Sequence, residues 1–329
     1  MKVQHIVGAD LSKKTIDLVC HLCGSHLQIE NSPAGFKQML KWFKQQKIDV
    51  SETMIVMEHT GLYSYCFEKY LHQHQLAFTK VNALVIKQSI GMVRGKNDKV
   101  DALRIARYGY EKRDKLTADP ALSNQLERLQ MLHSTRQRLV KHRAALICAI
   151  KEYRQIGISD KDIIVQSQLD VIKSFDKQID KVEAEIEAVV TTEESLQKNY
   201  DLLQTIKGVG KEIAMATIVK THNFTRFTNP RKFACFCGTA PFEHTSGSSI
   251  KGRTRVSHLA DKHMKKLLEM GSRTAIQYDK ELRAFYLRRL EIGKSKTSTL
   301  NIVRNKIIYR MFAVVKRQTA FIENYLQAA

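Results

Sequence analysis

Residues 53–58 read TMIVME, four apolar side chains in a row between a threonine and Glu58. A strand with one wet face alternates apolar and polar residues, so an unbroken run of this length predicts a strand buried on both faces of a sheet. Upstream, HIVGAD (5–10), TIDLVCHL (15–22) and HLQIEN (26–31) predict three more strands. SPAGFKQMLKWFKQQK (32–47) predicts a helix opened by Ser32 as cap and Pro33 in the first turn. Downstream, a helix from Leu62 to His74, a strand at LAFTKV (76–81) and a helix through DKVDALRIARYGY complete an α/β region ending near residue 112.

Two of these strands end in an acid. IVGAD delivers Asp10 and MIVME delivers Glu58, at the strand ends where an α/β sheet usually hosts chemistry. VRGKNDKVDALRIARYGYEKR (93–113) adds Asp98 and Asp101, three apart and therefore on nearly the same side of a helix. Spacing alone leaves other roles open: Asp98 as the helix cap, Asp101 in a capping box or paired to Arg104. Four convergent acids are a costly cluster of like charge unless cations occupy it, and hard oxygen ligands suit Mg²⁺. Two such ions about 3.5 to 4 Å apart clamp a phosphodiester during cleavage. Arg94, Lys96, Lys99, Arg104 and Arg107 nearby would hold a nucleic-acid backbone.

From about residue 120 the period changes. Leu132, Leu139, Leu146 and Tyr153 recur every seven residues, and after IGISDKD a 3,4 alternation runs through Ile172, Phe175, Ile179, Val182, Ile186, Val189 and Leu196. This predicts two helices with apolar seams, paired as an antiparallel hairpin or with another subunit; Arg136 and Arg143 interrupt the first stripe. LLQTIKGVGKEIAMATIVK (202–220) then predicts a helix, a Gly-Val-Gly turn and a second helix, whose turn amides can face a phosphate or simply connect two helices. It is no nucleotide-binding P-loop, because Thr205 stands where the first glycine is required. NPRKFACFCGTAPFEHTSGSSIKGRTRVSH (229–258) reads as loop-rich, followed by helices with a turn at residues 293–298.

The 54 Lys and Arg against 33 Asp and Glu, a net charge of +21, favour a polyanionic partner such as DNA or RNA. No apolar run approaches the roughly 20 residues of a spanning helix, and the start does not read as a secretory signal, so a cytoplasmic protein is expected. Cys20, Cys23, Cys66, Cys148, Cys235 and Cys237 form no disulfide framework, and C-x-x-C and C-x-C at opposite ends lack zinc-site spacing. Buried, reduced thiols are expected instead.

GADLSKKTIDL, VMEHTG and RGKNDKVDALRIA resemble the RuvC-like DEDD domain of the insertion-sequence 110 group of transposases, relatives of the Piv-type DNA invertases. IKGVGKEIAMATI, NPRKFACFCGTAPFEHTSG and MKKLLEMGSRTA resemble that family's C-terminal transposase domain. The resemblance implies an RNase H-like α/β domain over residues 1–115, a coiled-coil helical arm over 116–198 and a mostly helical transposase domain over 199–329. It places the metal-binding acids on Asp10, Glu58, Asp98 and Asp101, with Mg²⁺ as the metal and two ions expected per site.

HTSGSS offers Thr245, Ser246, Ser248 and Ser249, and chemistry does not choose among these hydroxyls. Ser248 and Lys251 form S-x-x-K without its companion signatures, and His244 reads as a local hydrogen-bonding residue. The family pattern puts an essential nucleophilic serine directly before a glycine, here Ser246; Thr245 replaces the polar amide that several relatives carry before it. The resemblance therefore implies a DNA transposase or site-specific recombinase acting through a phosphoserine link. It also implies a structured bridge RNA that selects donor and target DNA, and a homo-oligomer, dimer or tetramer, sharing active sites between subunits. Lys207, Lys211, Lys251, Arg253 and Arg255 are the expected backbone contacts of the C-terminal part. A RuvC-type endonuclease with water as nucleophile is the alternative, and Ser246 separates the two.

Overall fold

The computed structural model describes residues 3–91, 97–246, 250–256 and 259–323. They fall into two compact units, 1–121 and 122–329. The first is mixed α/β and the second largely helical, in agreement with the sequence reading and consistent with an RNase H-like transposase architecture.

In the first unit a five-stranded sheet has the order β3-β2-β1-β4-β5. Strands β1 (His5–Leu11), β2 (Thr15–Cys20) and β3 (His26–Glu30) form an antiparallel meander. After helix α1 (Pro33–Gln45), strand β4 (Thr53–Glu58) inserts parallel to β1. Helix α2 (Tyr65–Gln73) leads to β5 (Ala77–Val81), parallel to β4; α3 (Ala83–Ile90) and α4 (Asp98–Lys112) follow.

TMIVME explains the layering. Ile55 and Met57 enter one core with Val7, Ala9, Phe36 of α1 and Phe67 of α2. Met54 and Val56, pointing the other way, join Ile6 with Ile105 and Tyr108 of α4. The central strand is thus apolar throughout because both of its faces are covered. Burying each of these side chains contributes roughly 1.5–3 kcal/mol, an upper bound because the unfolded chain is itself partly compact.

In the second unit α5 (Asn124–Gln155) and α6 (Ile163–Thr191) pack as the predicted hairpin. Leu126, Leu129, Leu132, Ile186 and Val190 at its base belong to the core of this unit, so the arm is rooted in the helical body. Along its middle the seam is only half-buried, at Leu139, Leu146, Ile172 and Phe175, whereas Ile150 and Val165 nearer the tip are buried. Arg136 and Arg143 do not break the pairing: Arg136 reaches Glu183 at 2.6 Å, and Arg143 pairs with Asp176, both on α6. Helices α7 (Glu194–Gln204), α8 (Lys211–Thr221) and α9 (Pro230–Phe236), the ribbon β6 (Pro241–Ser246) and β7 (Ile250–Val256), and helices α10 (Lys262–Tyr278), α11 (Lys280–Glu291) and α12 (Lys296–Arg317) complete it. The stretch expected to be loop-rich therefore holds a helix and a two-stranded ribbon. Asn229 caps α9 by accepting from Arg231 N at 2.8 Å, and Pro230 opens it, both sequence signals of a short helix.

Candidate active site

Strands β1 and β4 are parallel neighbours with Ala9 opposite Met57, so Asp10 and Glu58 leave the ladder side by side. Alternation puts Ile6, Gly8 and Asp10 on one face of the sheet, together with Met54, Val56 and Glu58. That face belongs to α4. A Cβ on Gly8 would lie 2.2 Å from the Ala102 carbonyl oxygen and 2.3 Å from the Ala106 nitrogen, so only glycine admits the helix backbone here. One on Gly109 would meet Ile6 Cγ2 at 2.8 Å and Val56 Cγ2 at 2.7 Å. Residue 109 thus lies over Ile6 and residues 102 and 106 over Gly8, so α4 runs antiparallel to β1. One turn before Ala102 the helix begins, bringing Asp98 and Asp101 toward the end of the sheet that carries Asp10 and Glu58.

The charges confirm this convergence. Asp10 is half-buried and its carboxyl is pushed up to about 6, first by burial and then by the charges of Glu58, Asp101, Asp98 and Asp17. Asp17, which sequence reasoning missed, is the cross-strand neighbour of Asp10 and is buried. Its carboxylate shares a 2.7 Å hydrogen bond with His26 Nε2 and accepts from Gln28 Nε2 at 3.0 Å. Period-two alternation within TIDLVC carried that signal, because Asp17 interrupts an apolar strand. Asn97, rather than Asp98, caps α4, accepting from Val100 N at 2.8 Å. The i,i+3 pair of Asp101 with Arg104, open from spacing alone, is present at 2.7 Å.

Among the described residues no group of three or more His, Cys, Asp or Glu is gathered closely enough to hold a metal ion. The expected four-ligand cluster is thus brought to one end of the sheet without closing into a coordination sphere. The four carboxylates are hard oxygen donors, whose chemistry suits a divalent cation. Asn31 braces the site from behind, donating its amide to the Ser12 carbonyl at 3.0 Å and the Tyr63 carbonyl at 2.9 Å. It thereby ties the loop after Asp10 to the loop after Glu58, a long-range role that no local sequence pattern announces.

Of the basic residues expected near the acids, Lys99 is exposed on the first turn of α4, whereas Arg94 and Lys96 lie outside the described residues. In the second unit the Gly-Val-Gly turn borders an open groove of about 680 Å³ lined by Lys207, Lys211, Thr274 and Tyr278. Gly208 has φ +89° and packs on α10, where an added Cβ would lie 2.4 Å from the Gly271 carbonyl oxygen. Gly210 opens α8 without a side-chain cap, while Lys211 pairs with Glu187 at 2.6 Å. Ser246 ends β6, register-paired with Ile250; Lys251, Arg253 and Arg255 occupy alternate positions of β7, and Ser248 lies outside the described residues.

The expectation of six buried thiols is corrected: Cys20 and Cys237 are buried, Cys235 is half-buried, and Cys23, Cys66 and Cys148 are exposed. Burial pushes the Cys237 thiol far up, leaving it inert as a nucleophile. No helix among the described residues is long and apolar enough to cross a membrane.

Residues 7–153 match the model of DEDD transposases of the IS110 group, described as a transposase, and residues 200–287 match the one described as the transposase IS116/IS110/IS902 family. The chain belongs to the IS110 transposase family. It is 26% identical over 330 residues to the pilin gene-inverting protein of Moraxella bovis, covering 96% of this chain and 97% of the relative. The protein of the same name from Moraxella lacunata gives the same figures. An IS110 protein of 43.6 kDa from Streptomyces coelicolor is 25% identical over 165 residues, 50% of this chain and 40% of the relative.

Membership of the IS110 family makes this chain a DNA-cleaving transposase. The first matched segment contains Asp10, Glu58, Asp98 and Asp101, and the second contains Lys207, Lys211 and Ser246. Family membership agrees with divalent-metal catalysis in the first unit.

Proposed function

We propose that this IS110-family transposase cleaves and rejoins DNA through a phosphoserine formed by Ser246, with Asp10, Glu58, Asp98 and Asp101 of an RNase H-like domain holding the catalytic Mg²⁺ ions. The observation that carries the reading is the convergence of the two strand-end acids with the first turn of α4, fixed by the fit of Gly8 against Ala102. When bound, Mg²⁺ supplies Lewis-acid stabilisation of the charge that develops on the phosphate. Within the chain, Asp10 and Glu58 are set by the sheet ladder, Asp98 and Asp101 by the helix, and Asn31 restrains the loops beyond the strands.

The Ser246 oxygen attacks phosphorus, one P–O bond forms to serine as one breaks to the departing strand, and the serine proton leaves as that strand's oxygen gains one. Attack by a strand hydroxyl on the serine ester reverses the exchange, so the phosphodiester is restored without ATP. Lys99, Lys207, Lys211, Lys251, Arg253 and Arg255, with Arg94, Lys96 and Arg104, supply backbone affinity. Site choice is delegated to a bridge RNA, which accords with a +21 chain that needs only to hold backbone. The arm assembles subunits into a dimer or tetramer. Gene inversion, the activity in the name of the Moraxella relatives, likewise requires DNA strands to be cut and resealed.

The test is a supercoiled plasmid carrying the gene with its native flanking DNA. Ser246→Ala is expected to abolish the covalent protein–DNA adduct and strand exchange while nucleic-acid binding persists. Asp101→Asn is expected to reduce cleavage by at least about 10²-fold. Mixed Ser246→Ala and Asp101→Asn subunits should recover part of the activity if the serine and the acids come from different subunits. Cleavage without an adduct in wild type, unaffected by Ser246→Ala, would identify a hydrolytic nuclease instead.

A further inference from the structure

The two strands that carry the serine segment form their own sheet, separate from the five-stranded one. A two-stranded ribbon is marginal alone, so its aim depends on what holds its root. Phe242, at the start of β6, is 51% exposed, but three residues earlier Thr239 is completely buried. Its carbonyl accepts from Asn301 Nδ2 at 2.7 Å and from Asn305 Nδ2 at 2.9 Å, and its hydroxyl donates to Asn305 Oδ1 at 2.8 Å. Asn301 and Asn305 are one turn apart on α12, so a single helix face grips both polar groups of one residue. The Thr239 amide donates to the Ala234 carbonyl at 2.9 Å, fastening the same residue to α9. On the returning side, Asp261 N donates to the Phe236 carbonyl at 2.8 Å, and Asp261 pairs with Lys220 at 2.8 Å. α12 itself is held by buried Val303, Ile307 and Ile308, none of which needs the asparagines.

We propose that Asn301 and Asn305 are positioning residues for the transposition chemistry: by clamping Thr239 they fix the direction in which the β6–β7 ribbon presents Ser246. The inference rests on the assignment of Ser246 as nucleophile. The pair acts through the ribbon and touches no reacting atom. Because a displacement of about 1 Å at a reacting group can slow a reaction by about 10²-fold, a loosened root is felt in catalysis before it is felt in binding.

The experiment compares full-length wild type with Asn305→Ala, the Asn301→Ala/Asn305→Ala double variant and Thr239→Ser. Amide hydrogen exchange across residues 241–256, adduct formation on the plasmid substrate, DNA binding and Tm are read together. Expected in both alanine variants are exchange at least about tenfold faster in the ribbon and adduct formation slowed about 10–100-fold, with binding within about twofold of wild type. Thr239→Ser, which keeps the hydroxyl, should stay within about twofold in every readout. If an alanine variant fails to fold, Thr239→Val, close in volume and lacking only the hydroxyl, takes its place with the same expected directions. Unchanged ribbon exchange, or unchanged adduct formation with faster exchange, overturns the clamp. The exchange readout is independent of the nucleophile's identity, whereas an adduct surviving in Ser246→Ala overturns only the serine assignment.

Discussion

Asp10 lies on the central strand of a five-stranded sheet, whereas Ser246 lies at the end of a strand paired with a single partner. The acid end of the first unit is held by repetitive structure: a parallel ladder on one side, a helix pressed against Gly8 on the other, and apolar cores on both faces. Among the described residues, the base of the serine ribbon is held by the asparagine side chains on Thr239 and by backbone bonds to Ala234 and Phe236. Many small, redundant interactions make a site that resists a change at any one of them. A few specific ones make a site that moves when one is lost, a property suited to a group that must meet DNA, form a bond and release it.

The comparison breaks most directly at Gly8. Gly8→Val puts a branched side chain where the Ala102 and Ala106 backbone already sits, and is expected to unfold the first unit, a loss of more than about 4 kcal/mol, visible as a missing thermal transition. A folded, active Gly8→Val protein would show that α4 is not locked to the sheet.

The arm makes the same comparison within one hairpin, since its base belongs to the core of the second unit and its middle is only half-buried. Ile179→Asp with Val182→Asp is expected to cost about 3 kcal/mol or more and to disrupt assembly and activity together. Phe175→Ala, in the half-buried middle of the arm, should lower stability less and affect self-association more. Equal stability losses at both positions would make the arm a uniform internal core.

A gentler probe is pH. The Asp10 carboxyl, ordinarily near 3.8, titrates near 6 in the folded protein, so the folded state holds more protons than the unfolded between those values. Stability contributed at Asp10 is therefore present below about pH 4 and lost as pH rises through 6, the reverse of a salt-bridged aspartate. In chelator-treated protein, the Tm difference between Asp10→Asn and wild type should grow in favour of the mutant from pH 4 to 7. Added Mg²⁺ should narrow it at pH 7 by stabilising only wild type. A pH-independent difference would mean that neither burial nor the neighbouring acids raise the Asp10 carboxyl.

The smallest effect is expected on the arm's surface. Arg128 and Glu185 form an exposed pair at 3.2 Å, so Arg128→Ala should change stability by no more than about 1 kcal/mol in chemical denaturation. A larger loss would mean that the interhelical ion pairs act as a network.

The regular half of this comparison was also the legible half. TMIVME, IVGAD and the seam of α6 announce themselves through period, because burying a strand or helix face forces apolar residues to recur. The ribbon did not: IKGRTRV alternates cations with small polar residues, and nothing in it asks for a core. Helix α3, at eight residues little more than two turns, passed unnoticed because so short a run repeats no stripe clearly. That Asp10 and Glu58 end strands and Asp98 and Asp101 open a helix was legible, because strand ends and helix starts follow from the same periods. Asn31, Asn301 and Asn305 were not, since each acts on a backbone carbonyl remote in sequence, and a single amide side chain leaves no pattern.

The fit of Gly8 between Ala102 and Ala106 fixes more than a distance; it fixes the angular phase of α4 about its own axis. Inserting one residue between Asp101 and Ala102 would rotate both helix acids by about 100° and carry them off the sheet end, although every acid would still be in the chain. The same insertion ahead of Asn97 would leave the phase intact. Sequence length is therefore constrained unequally across a few neighbouring positions: the helix behaves as a key cut to one orientation, and the segment before it as the handle.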